Sequence, residues 1–436
     1  MKRLFRPMLL GVALTCSVKQ AAAEGLLLED AVRLALSNNE RARKAPLRVA
    51  VAEAQLERAR DAFLPSLSAQ ASSTLRPEAR GNNPSTNAAL TLSQPLLNPS
   101  AFPQYAQQAH NREAEKWGSA QDLRQVAFDT AKAFLQTLTS EGVLRSARRK
   151  LESAELNLQA AKARAEAGLT STNDVTRAEL TLATSRGQLA NAEGNVQRAY
   201  LALSFLVGQR VDGPLSAPDN TTQAARRFEE SRGNQVKNAL ERRGQALTAA
   251  QERRPDVRAL RERNLGLEAS AREPLYRLIP ALTLSGQMRF VPDPLPGEKA
   301  VDEQASLNLS WQIFDAGFRY ADRKQRLAQL ESARLDERLL LRSVGNDIQL
   351  SLAALRAARG NFEAAEAAAS AAQKNADETN VLYQQGLARA IEVNDANDRR
   401  FEADVTREAA KLAMEQAYLD LRNALGFGPI DERGAE

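Results

Sequence analysis

Few residues of this 436-residue chain have the types and spacing that catalysis or metal binding needs. His110 is the only histidine, Cys16 is the only cysteine, and methionine occurs four times. Neither a His/Cys metal cluster nor a Met-rich metal relay can be assembled from so few ligands. A nucleophile–histidine constellation could form only around His110, and the sequence contains no glycine-rich phosphate loop. We therefore predict no enzymatic activity and no cofactor.

Two short stretches interrupt long helical patterns: AGLTSTNDV at Ala167–Val175 and QGLARAIEV at Gln385–Val393. In each stretch a glycine ends one helical run, and another run begins a few residues later. Each stretch is therefore predicted to be the far tip of an antiparallel helical hairpin. The two tip glycines, Gly168 and Gly386, lie 218 residues apart, which is about half the chain.

Three carboxylates lie beside these tips. Asp174 follows the first tip glycine, and Glu392 and Asp395 begin the helix after the second. Asp174, next to Asn173, could cap its helix, because short polar side chains accept from free amides there. Glu392 and Asp395 could simply complement the helix macrodipole. The local pattern thus leaves both structural and functional roles open.

Uncharged positions recur every three or four residues along the helical run that leads to each tip, which is typical of a coiled-coil seam. In the first run they are Leu123, Val126, Thr130, Ala133, Thr137, Ser140, Leu144, Ala147, Leu151, Ala154, Leu158, Ala161 and Ala165. Adding 218 gives Leu341, Val344, Ile348, Ser351, Leu355, Ala358, Phe362, Ala365, Ala369, Ala372, Ala376, Thr379 and Tyr383, which are also uncharged. A helix from about residue 100 to Gly168 would be about 100 Å long.

Before each long helix, apolar and polar residues alternate, which predicts a pair of strands with one apolar face. The predicted strands are Ser66–Thr74, Ala88–Ser93, Leu282–Phe290 and Leu307–Trp311, with hairpin loops at Arg76–Thr86 and Val291–Glu303. Helical segments at about Glu29–Ala62 and Gln235–Tyr276 are predicted to precede the two strand pairs.

The N-terminus has the pattern of a secretory signal peptide. Basic residues precede an apolar run at Met8–Cys16, and Ala21–Ala23 offers a small-residue cleavage site, so we predict a signal peptide at residues 1–23. Cys16 could alternatively be a lipidation site. Without the four basic residues of the first twenty positions, 55 basic residues stand against 54 acidic ones. This near balance gives no reason to predict nucleic-acid binding.

The chain is predicted to be internally duplicated. A shift of 218 residues aligns Ala199–Leu203 with Ala417–Leu421, and a shift of 217 aligns Ser93–Asn98 with Ser310–Asp315. The predicted organisation is a first repeat at 24–208, an insert or linker at 209–234, a second repeat at 235–428 and a short tail at 429–436. Each repeat contains a helix, a strand pair and a long helical hairpin.

Several short motifs occur in the same order in both halves. They are Leu64-Pro65 and Ile279-Pro280, SQPLLN and SWQIFDAG, the two Gly-Leu tips, and the paired Tyr-Leu-x-Leu…Gly endings. From about Leu26 to Gly428 this arrangement resembles the TolC family of outer-membrane efflux and secretion ducts.

The resemblance implies a mainly helical α+β fold and a homotrimer. In it, three chains of four strands form a twelve-stranded transmembrane β-barrel that is continuous with a long periplasmic α-helical barrel. The implied location is the outer membrane, with lipid around the strands and the helices extending into the periplasm. The implied partners are a periplasmic adaptor protein and an inner-membrane pump of the RND or ABC type. The implied function is a passive exit duct of a tripartite efflux or type I secretion system, gated at the hairpin tips.

The resemblance also implies roles for residues near the tips. Glu392 and Asp395 match carboxylates that form rings at the constriction of the family's tunnel, where they select what passes. Asp174 and Tyr383 match an acid and a tyrosine whose hydrogen bond helps hold the closed tip. Tyr383 is also the last seam position, so packing is the alternative. Lys411 matches a basic latch position of some members.

The tip turns carry one further implication and one departure. By resemblance, the Gly168-Leu169 and Gly386-Leu387 turns would dock the adaptor, and they are also ordinary helix C-caps. The family pattern has a latch arginine two residues after the second tip glycine, but this chain has Ala388 there and Arg389 one place later.

The main alternative to a duct is a periplasmic coiled-coil scaffold or tether without a channel. Amphipathic strand pairs and an internal duplication favour the duct, because a tether needs neither. The sequence does not choose between drug efflux and protein secretion, because specificity lies largely in the pump and the adaptor.

Overall fold

The computed structural model describes residues 25–74, 85–218, 245–292 and 299–430, together with Gln223 and Ala225. The predicted signal peptide with Cys16, nearly all of the insert beyond residue 218, and residues 431–436 of the tail lie outside the described residues.

The first half begins with two helices, α1 (Leu28–Asn38) and α2 (Glu40–Arg60), where the sequence predicts one helical segment. The break is at Asn39, whose backbone is extended and whose side chain is buried. Its Oδ1 accepts from the amide of Arg41 (2.9 Å), and its Nδ2 donates to the carbonyl of Leu206 (2.8 Å). Asn39 therefore caps α2 and ties it to a distant helix, a contact that no local pattern reveals.

Four antiparallel strands form one sheet in the order β1 (Ser66–Thr74), β2 (Ser85–Leu97), β3 (Ala281–Phe290), β4 (Val301–Ser310). The strands of both predicted pairs are present, but β2 and β4 begin earlier than expected. Ser85 pairs with Thr74, and Val301 pairs with Phe290, so both residues belong to strands and not to the predicted loops. Because Ser85–Asn87 is polar throughout, alternation could not mark the start of β2.

The register gives the sheet one apolar and one polar face. The apolar face carries exposed side chains of Leu67, Leu90, Leu92, Leu284, Met288, Phe290, Val301, Leu307 and Leu309. On the other face, Ser66, Ser93, Ser285 and Ser306 form one cross-strand row. The predicted amphipathic strands are therefore confirmed as one continuous two-faced sheet.

Long helical hairpins follow the strand pairs. The first consists of α3 (Ala101–Glu166, 66 residues) and α4 (Thr172–Val207), and the second of α7 (Phe318–Gln384, 67 residues) and α8 (Ala390–Ala424). Each long helix is about 100 Å. Between the hairpins come α5 (Gln245–Arg253) and α6 (Pro255–Tyr276); the part of the predicted segment before residue 245 lies outside the described residues.

Both predicted seams are buried or half-buried along their whole length, with no fully exposed member. The helices lie side by side in the order α4, α3, α8, α7, because α3 contacts both α4 and α8, and α8 contacts α7. Nearer the sheet, α2 and α6 pack on the first part of α3, and α6 also packs on α7. The largest apolar core lies where α1, α3 and α4 meet, around Phe128, Phe134, Leu135 and Leu203.

A buried ion cluster fixes the junction between α6 and α7 beside the sheet. Glu273 is 1% exposed and accepts from Arg277 at 2.7 and 2.8 Å, and Arg326 lies 3.1 Å away. Asp322 bridges the same two arginines. A carboxylate this deeply buried is tolerated because two guanidinium groups surround it.

Among the described residues, no helix is both long enough and apolar enough to cross a membrane.

Candidate functional site

Each hairpin turns at a glycine, as predicted. Gly168 has φ +72° and Gly386 has φ +81°, in the left-handed region that side chains disfavour. Around them, the amide of Leu169 donates to the carbonyl of Arg164 (2.9 Å) and that of Leu387 to Leu382 (2.8 Å), which closes a Schellman turn at each helix end. The two tips therefore share one backbone geometry.

The leucine after each tip glycine extends into solvent. Leu169 is 78% exposed and Leu387 is 73% exposed. Neither side chain packs against the rest of the described chain. Exposed apolar side chains at such a position mark a contact surface.

The hydrogen bond between Asp174 and Tyr383 that the resemblance implies is not formed. The Asp174 carboxylate instead accepts from the hydroxyl of Thr170, within its own turn. The Tyr383 ring is buried beneath the guanidinium of Arg164, 4.0 Å from the ring centroid, and Arg164 also donates to the Tyr383 carbonyl. Asp174 and Tyr383 line the same cleft, but the packing of Arg164 on the Tyr383 ring sets the direction of that side chain. A gating role for the two residues stays a prediction.

Glu392 and Asp395 are both exposed at the start of α8. Glu392 Oε2 accepts from the amide of Arg389 (2.9 Å), which satisfies one free donor at the helix N-terminus. Asp395 pairs with Arg399 one turn later (3.1 Å). Within one chain, both carboxylates therefore make local contacts at the start of their own helix, as expected if they only stabilise its N-terminus. A gating role stays a prediction.

Lys411 lies sixteen residues beyond Asp395 on α8, which is about 24 Å along the helix axis. Its Nζ is 4.0 Å from Oε1 of Glu415 on the same helix. This contact lies along one helix, and the latch role of Lys411 stays a prediction.

Ion pairs between α3 and α8 hold the two hairpins side by side. Lys132 pairs with Asp420 (2.5 Å), Arg149 with Asp404 (2.7 Å) and Lys150 with Asp398 (2.6 Å). The cations all come from α3 and the carboxylates all from α8. No local sequence pattern predicts this ladder, because it lies outside the seams and its partners are more than 240 residues apart in the chain.

The two tips enclose an open cleft of about 830 Å³. Its walls include Arg164, Arg177 and Asp174 from the first hairpin, and Tyr383 and Arg389 from the second. The cleft brings the predicted Asp174 and Tyr383 together with Arg389 and with Arg164 and Arg177, which were not predicted. Glu392 and Asp395 lie beside it. Among the described residues, no group of three or more His, Cys, Asp or Glu side chains could hold a metal ion.

Solved outer-membrane channels share this architecture of a small sheet that continues into long helical hairpins. The Campylobacter jejuni CmeC outer membrane channel superposes with a TM-score of 0.74 at 16% identity, covering 93% of this chain and 87% of that one. The Neisseria gonorrhoeae MtrE outer membrane channel gives 0.74 at 19% identity, covering 92% of this chain and 89% of that one. At these identities the likeness establishes the fold.

The sequence matches the outer membrane efflux protein family over residues 31–209 and 246–427, and the chain belongs to this family. The outer membrane protein TolC of Vibrio cholerae is 26% identical over 305 residues, which cover 68% of this chain and 66% of that protein. The resemblance seen in the sequence is confirmed. The chain is an outer-membrane protein that extends into the periplasm, in a family of efflux channels and not of enzymes.

Proposed function

We propose that the chain is one subunit of a homotrimeric exit duct, which passively conducts substrates across the periplasm and the outer membrane. The duct works with a periplasmic adaptor and an inner-membrane pump of the RND or ABC type, and the pump supplies the energy. Three four-stranded sheets close a twelve-stranded β-barrel, and three pairs of hairpins close the helical barrel below it.

The observation that carries this proposal is a second uncharged stripe on each lateral helix. On α4 it comprises Leu180, Thr184, Gly187, Asn191, Gly194, Leu201 and Phe205, interrupted by Arg198. On α7 it comprises Leu350, Ala354, Ala357, Asn361, Ala364, Ala368, Ala371 and Asn375. Both stripes repeat with heptad spacing, and nearly all their members are exposed in the single chain.

The two stripes lie on opposite edges of the helical layer of the protomer. Because α4 and α7 are the outer helices of the layer, α4 of one copy can pack on α7 of the next. Such a heterologous contact generates a ring when its rotation closes. The small residues along both stripes allow the close approach that side-by-side helices need.

The sheet supports the same closure. β1 and β4 are edge strands with unpaired backbone groups, and an edge of this kind is stable only when it is covered or paired. Pairing β4 of one copy with β1 of the next removes every edge, and it places the leucine-rich face towards lipid and the serine-rich face towards the lumen.

The order of elements in the two halves supports the proposed internal duplication, with repeats at 24–208 and 235–428 joined by the insert at 209–234. Each half carries helix, strand pair, long helix and returning helix. A trimer of duplicated subunits would make the helical tunnel quasi-sixfold.

The proposed gate is at the hairpin tips. Three copies of Glu392 and Asp395 would crowd six carboxylates around the axis, and Asp174 and Tyr383 would line the adjoining clefts. Like charges at short range repel, so the ring would select among permeating ions. The exposed Leu169 and Leu387, with the turns at Gly168 and Gly386, are the proposed docking surface for the adaptor.

A scaffold without a channel is the weaker candidate, because a tether has no use for a sheet whose exposed face is leucine-rich. Extraction from membranes distinguishes the duct from the scaffold. A duct is released only by detergent, whereas a scaffold is released by salt or is already free.

The test of the duct is single-channel conductance in planar bilayers, comparing the wild type with the Glu392→Ala/Asp395→Ala variant. We expect a small wild-type conductance that rises in the variant. Glu402→Ala, an exposed acid further along α8, is the matched control and should leave conductance unchanged. A wild-type trimer that never conducts would refute the duct, and an unchanged double variant would move the gate away from these residues.

A further inference from the structure

Two neighbouring ion pairs, which we call the brace, join the two hairpins partway along their length. Arg149 on α3 pairs with Asp404 on α8 (2.7 Å), and Lys150 on α3 pairs with Asp398 on α8 (2.6 Å). Each pair has one deeply buried partner, because the side chains of Asp404 and Lys150 are only 9% and 8% exposed. Water and salt screen such pairs less than they screen surface pairs, so the brace holds the hairpins together at this level.

Between the brace and the sheet, α3 and α8 are in close contact. An added Cβ at Gly142 on α3 would lie only 2.9 Å from Cδ of Glu408 on α8. Closer to the sheet, Leu419 of α8 is fully buried in the apolar core where α1, α3 and α4 meet. Lys132 also pairs with Asp420 there. The two hairpins are therefore attached to each other by packing as well as by charge on this side of the brace.

Between the brace and the tips, the ion pairs join helices of the same hairpin. They are Glu155–Arg186 (3.9 Å), Lys162–Glu179 (3.6 Å) and Asp377–Arg400 (3.0 Å). Among the described residues, the polar contacts between the two hairpins at this end are those of Arg164 with Tyr383. Arg149 lies nineteen residues before Gly168, so this weakly joined end is about 28 Å long.

The brace also borders a polar cavity of about 150 Å³ between α3 and α8. Its lining includes Lys150, Asn397, Phe401 and Asp404. The Nδ2 of Asn397 is buried without a hydrogen-bond partner among the described residues. Close packing is therefore interrupted at this level, and incompletely packed and satisfied sites are where structures part at low cost.

We propose that the brace sets the point at which the duct opens: the two hairpins stay together from the sheet to the brace, and they part between the brace and the tips. This inference rests on the proposed function, because it assigns the moving part to the gate at the hairpin tips. The four residues of the brace are positioning residues, since they act on permeating substrates only through the tips.

Loss of the brace would lengthen the part that can move. The next ion pair between the hairpins is Lys132–Asp420, and Lys132 lies thirty-six residues before Gly168, or about 54 Å along the helix axis. Fewer contacts then oppose separation of the hairpins, which shifts the equilibrium from the closed to the open arrangement.

The test is the open probability of single channels in planar bilayers. We expect Asp398→Asn/Asp404→Asn to raise it at least about tenfold, because charge-assisted contacts that favour the closed arrangement are lost. The matched control is Asp420→Asn, since the side chains of Asp420 and Asp398 are equally exposed (48% each) and both pair with a lysine of α3. This control should leave the open probability unchanged, because the brace still holds.

Reversal of one ion pair separates the brace from a general loss of packing. Asp398→Lys places two cations opposite each other and should raise the open probability. Lys150→Asp/Asp398→Lys restores opposite charges and should return the open probability towards the wild-type value. Light scattering first establishes that each variant is a trimer. Should Asp398→Asn/Asp404→Asn fail to assemble, Asp398→Asn alone is compared with Asp420→Asn, and a rise is expected only in the former.

The outcomes distinguish this inference from the duct itself. A wild type that conducts, with brace variants that open no more often than Asp420→Asn, overturns the inference and leaves the duct intact. A reversed pair that opens as often as Asp398→Lys does the same. A wild type that never conducts refutes the duct, and the inference with it.

Discussion

At the scale of single residues, a charge cluster where the end of α8 and the start of α6 meet α3 shows how burial is compensated. Arg124 donates to the carbonyls of Asn423 and Phe427, and burial lowers its pKa to about 10, with the nearby charge of Arg254 adding to the effect. Burial alone would raise the pKa of Asp256, but hydrogen bonds and charge from Arg254 outweigh it and hold that pKa below its ordinary value of 3.8. The carboxylate therefore stabilises the fold.

The first prediction concerns this carboxylate. Its pKa is lower in the folded than in the unfolded chain, so its stabilisation is complete above about pH 4 and disappears as the pH falls through the folded value. We expect Asp256→Asn to cost about 1–2 kcal/mol at pH 7, because charge-assisted hydrogen bonds are lost. The gap between wild type and variant in thermal midpoint should narrow progressively as the pH falls below 4.

The control for this prediction is Asp347→Asn. Asp347 faces the same Arg254 at 3.8 Å but is 48% exposed, so its loss should cost less than about 0.5 kcal/mol. Equal effects of the two substitutions, or a gap that does not narrow as the pH falls below 4, would contradict the role assigned to Asp256.

At the scale of elements, the returns of the two hairpins depend on single glycines. Gly168 and Gly386 adopt positive φ, and an added Cβ at either would meet no atom within 4 Å. The cost of a side chain there is therefore backbone strain and not a clash. Elsewhere, Gly118 lies inside α3, where an added Cβ comes no closer than 4.0 Å to Glu115 Oε2.

The second prediction follows from this difference. Gly386→Ala should destabilise the tip by about 1 kcal/mol through left-handed strain. Gly118→Ala should instead stabilise α3 by up to about 1 kcal/mol, since alanine is the better helix former. Hydrogen exchange measured by mass spectrometry should show faster exchange around residues 382–392 in the first variant and not in the second. Unchanged exchange at the tip in Gly386→Ala would show that the turn tolerates the strain.

At the scale of the whole molecule, the single chain exposes surfaces that a monomer would not keep. The outward stripes of α4 and α7 include Leu201 at 70%, Phe205 at 77% and Leu350 at 60% exposed. Exposed apolar side chains that follow a heptad spacing indicate an interface. These stripes are therefore the surfaces through which neighbouring protomers would pack in the proposed ring.

The third prediction tests that interface. Phe205→Glu on α4 and Leu350→Glu on α7 should each convert detergent-solubilised trimers into monomers, because a carboxylate buried between helices has no partner there. Leu156→Glu is the control: Leu156 is 61% exposed but lies on α3, which its own chain flanks on both sides. Light scattering after size exclusion gives the mass directly. Trimers that persist in both edge variants would refute the proposed packing.

Much of the fold could be predicted from the sequence, because its signals are local and repeated. The seams, the tip glycines and the four amphipathic strands depend on periodicity and on single special residues, and all appear in the structure. The predicted strands began later in the chain than the observed starts of β2 and β4 at Ser85 and Val301. Pairing across the sheet, and not alternation, decides where a strand begins. The helix break at Asn39 could not be predicted for a related reason, because the Asn39 side chain is held by the carbonyl of Leu206, far along the chain.

The candidate site could be predicted in position but not in contacts. The two glycines located both tips, and the resemblance predicted that Asp174 and Tyr383 lie near each other, as they do in the cleft. The partners of these residues are different from those expected: Thr170 satisfies Asp174, and Arg164 covers Tyr383. Arg177 and Arg389 were overlooked as cleft residues, because an exposed arginine near a helix end has no sequence signature of its own.

The sequence by itself determined which segments are helices and strands, where the hairpins turn and which family the chain resembles, because hydrophobic periodicity and turn chemistry act over a few residues. Only the tertiary structure decided the side-by-side order α4, α3, α8, α7, the ladder from Lys132 to Asp398, and the arginine-lined cleft. Those features join residues more than 200 positions apart, and their geometry follows from how long helices pack against each other and not from any local pattern.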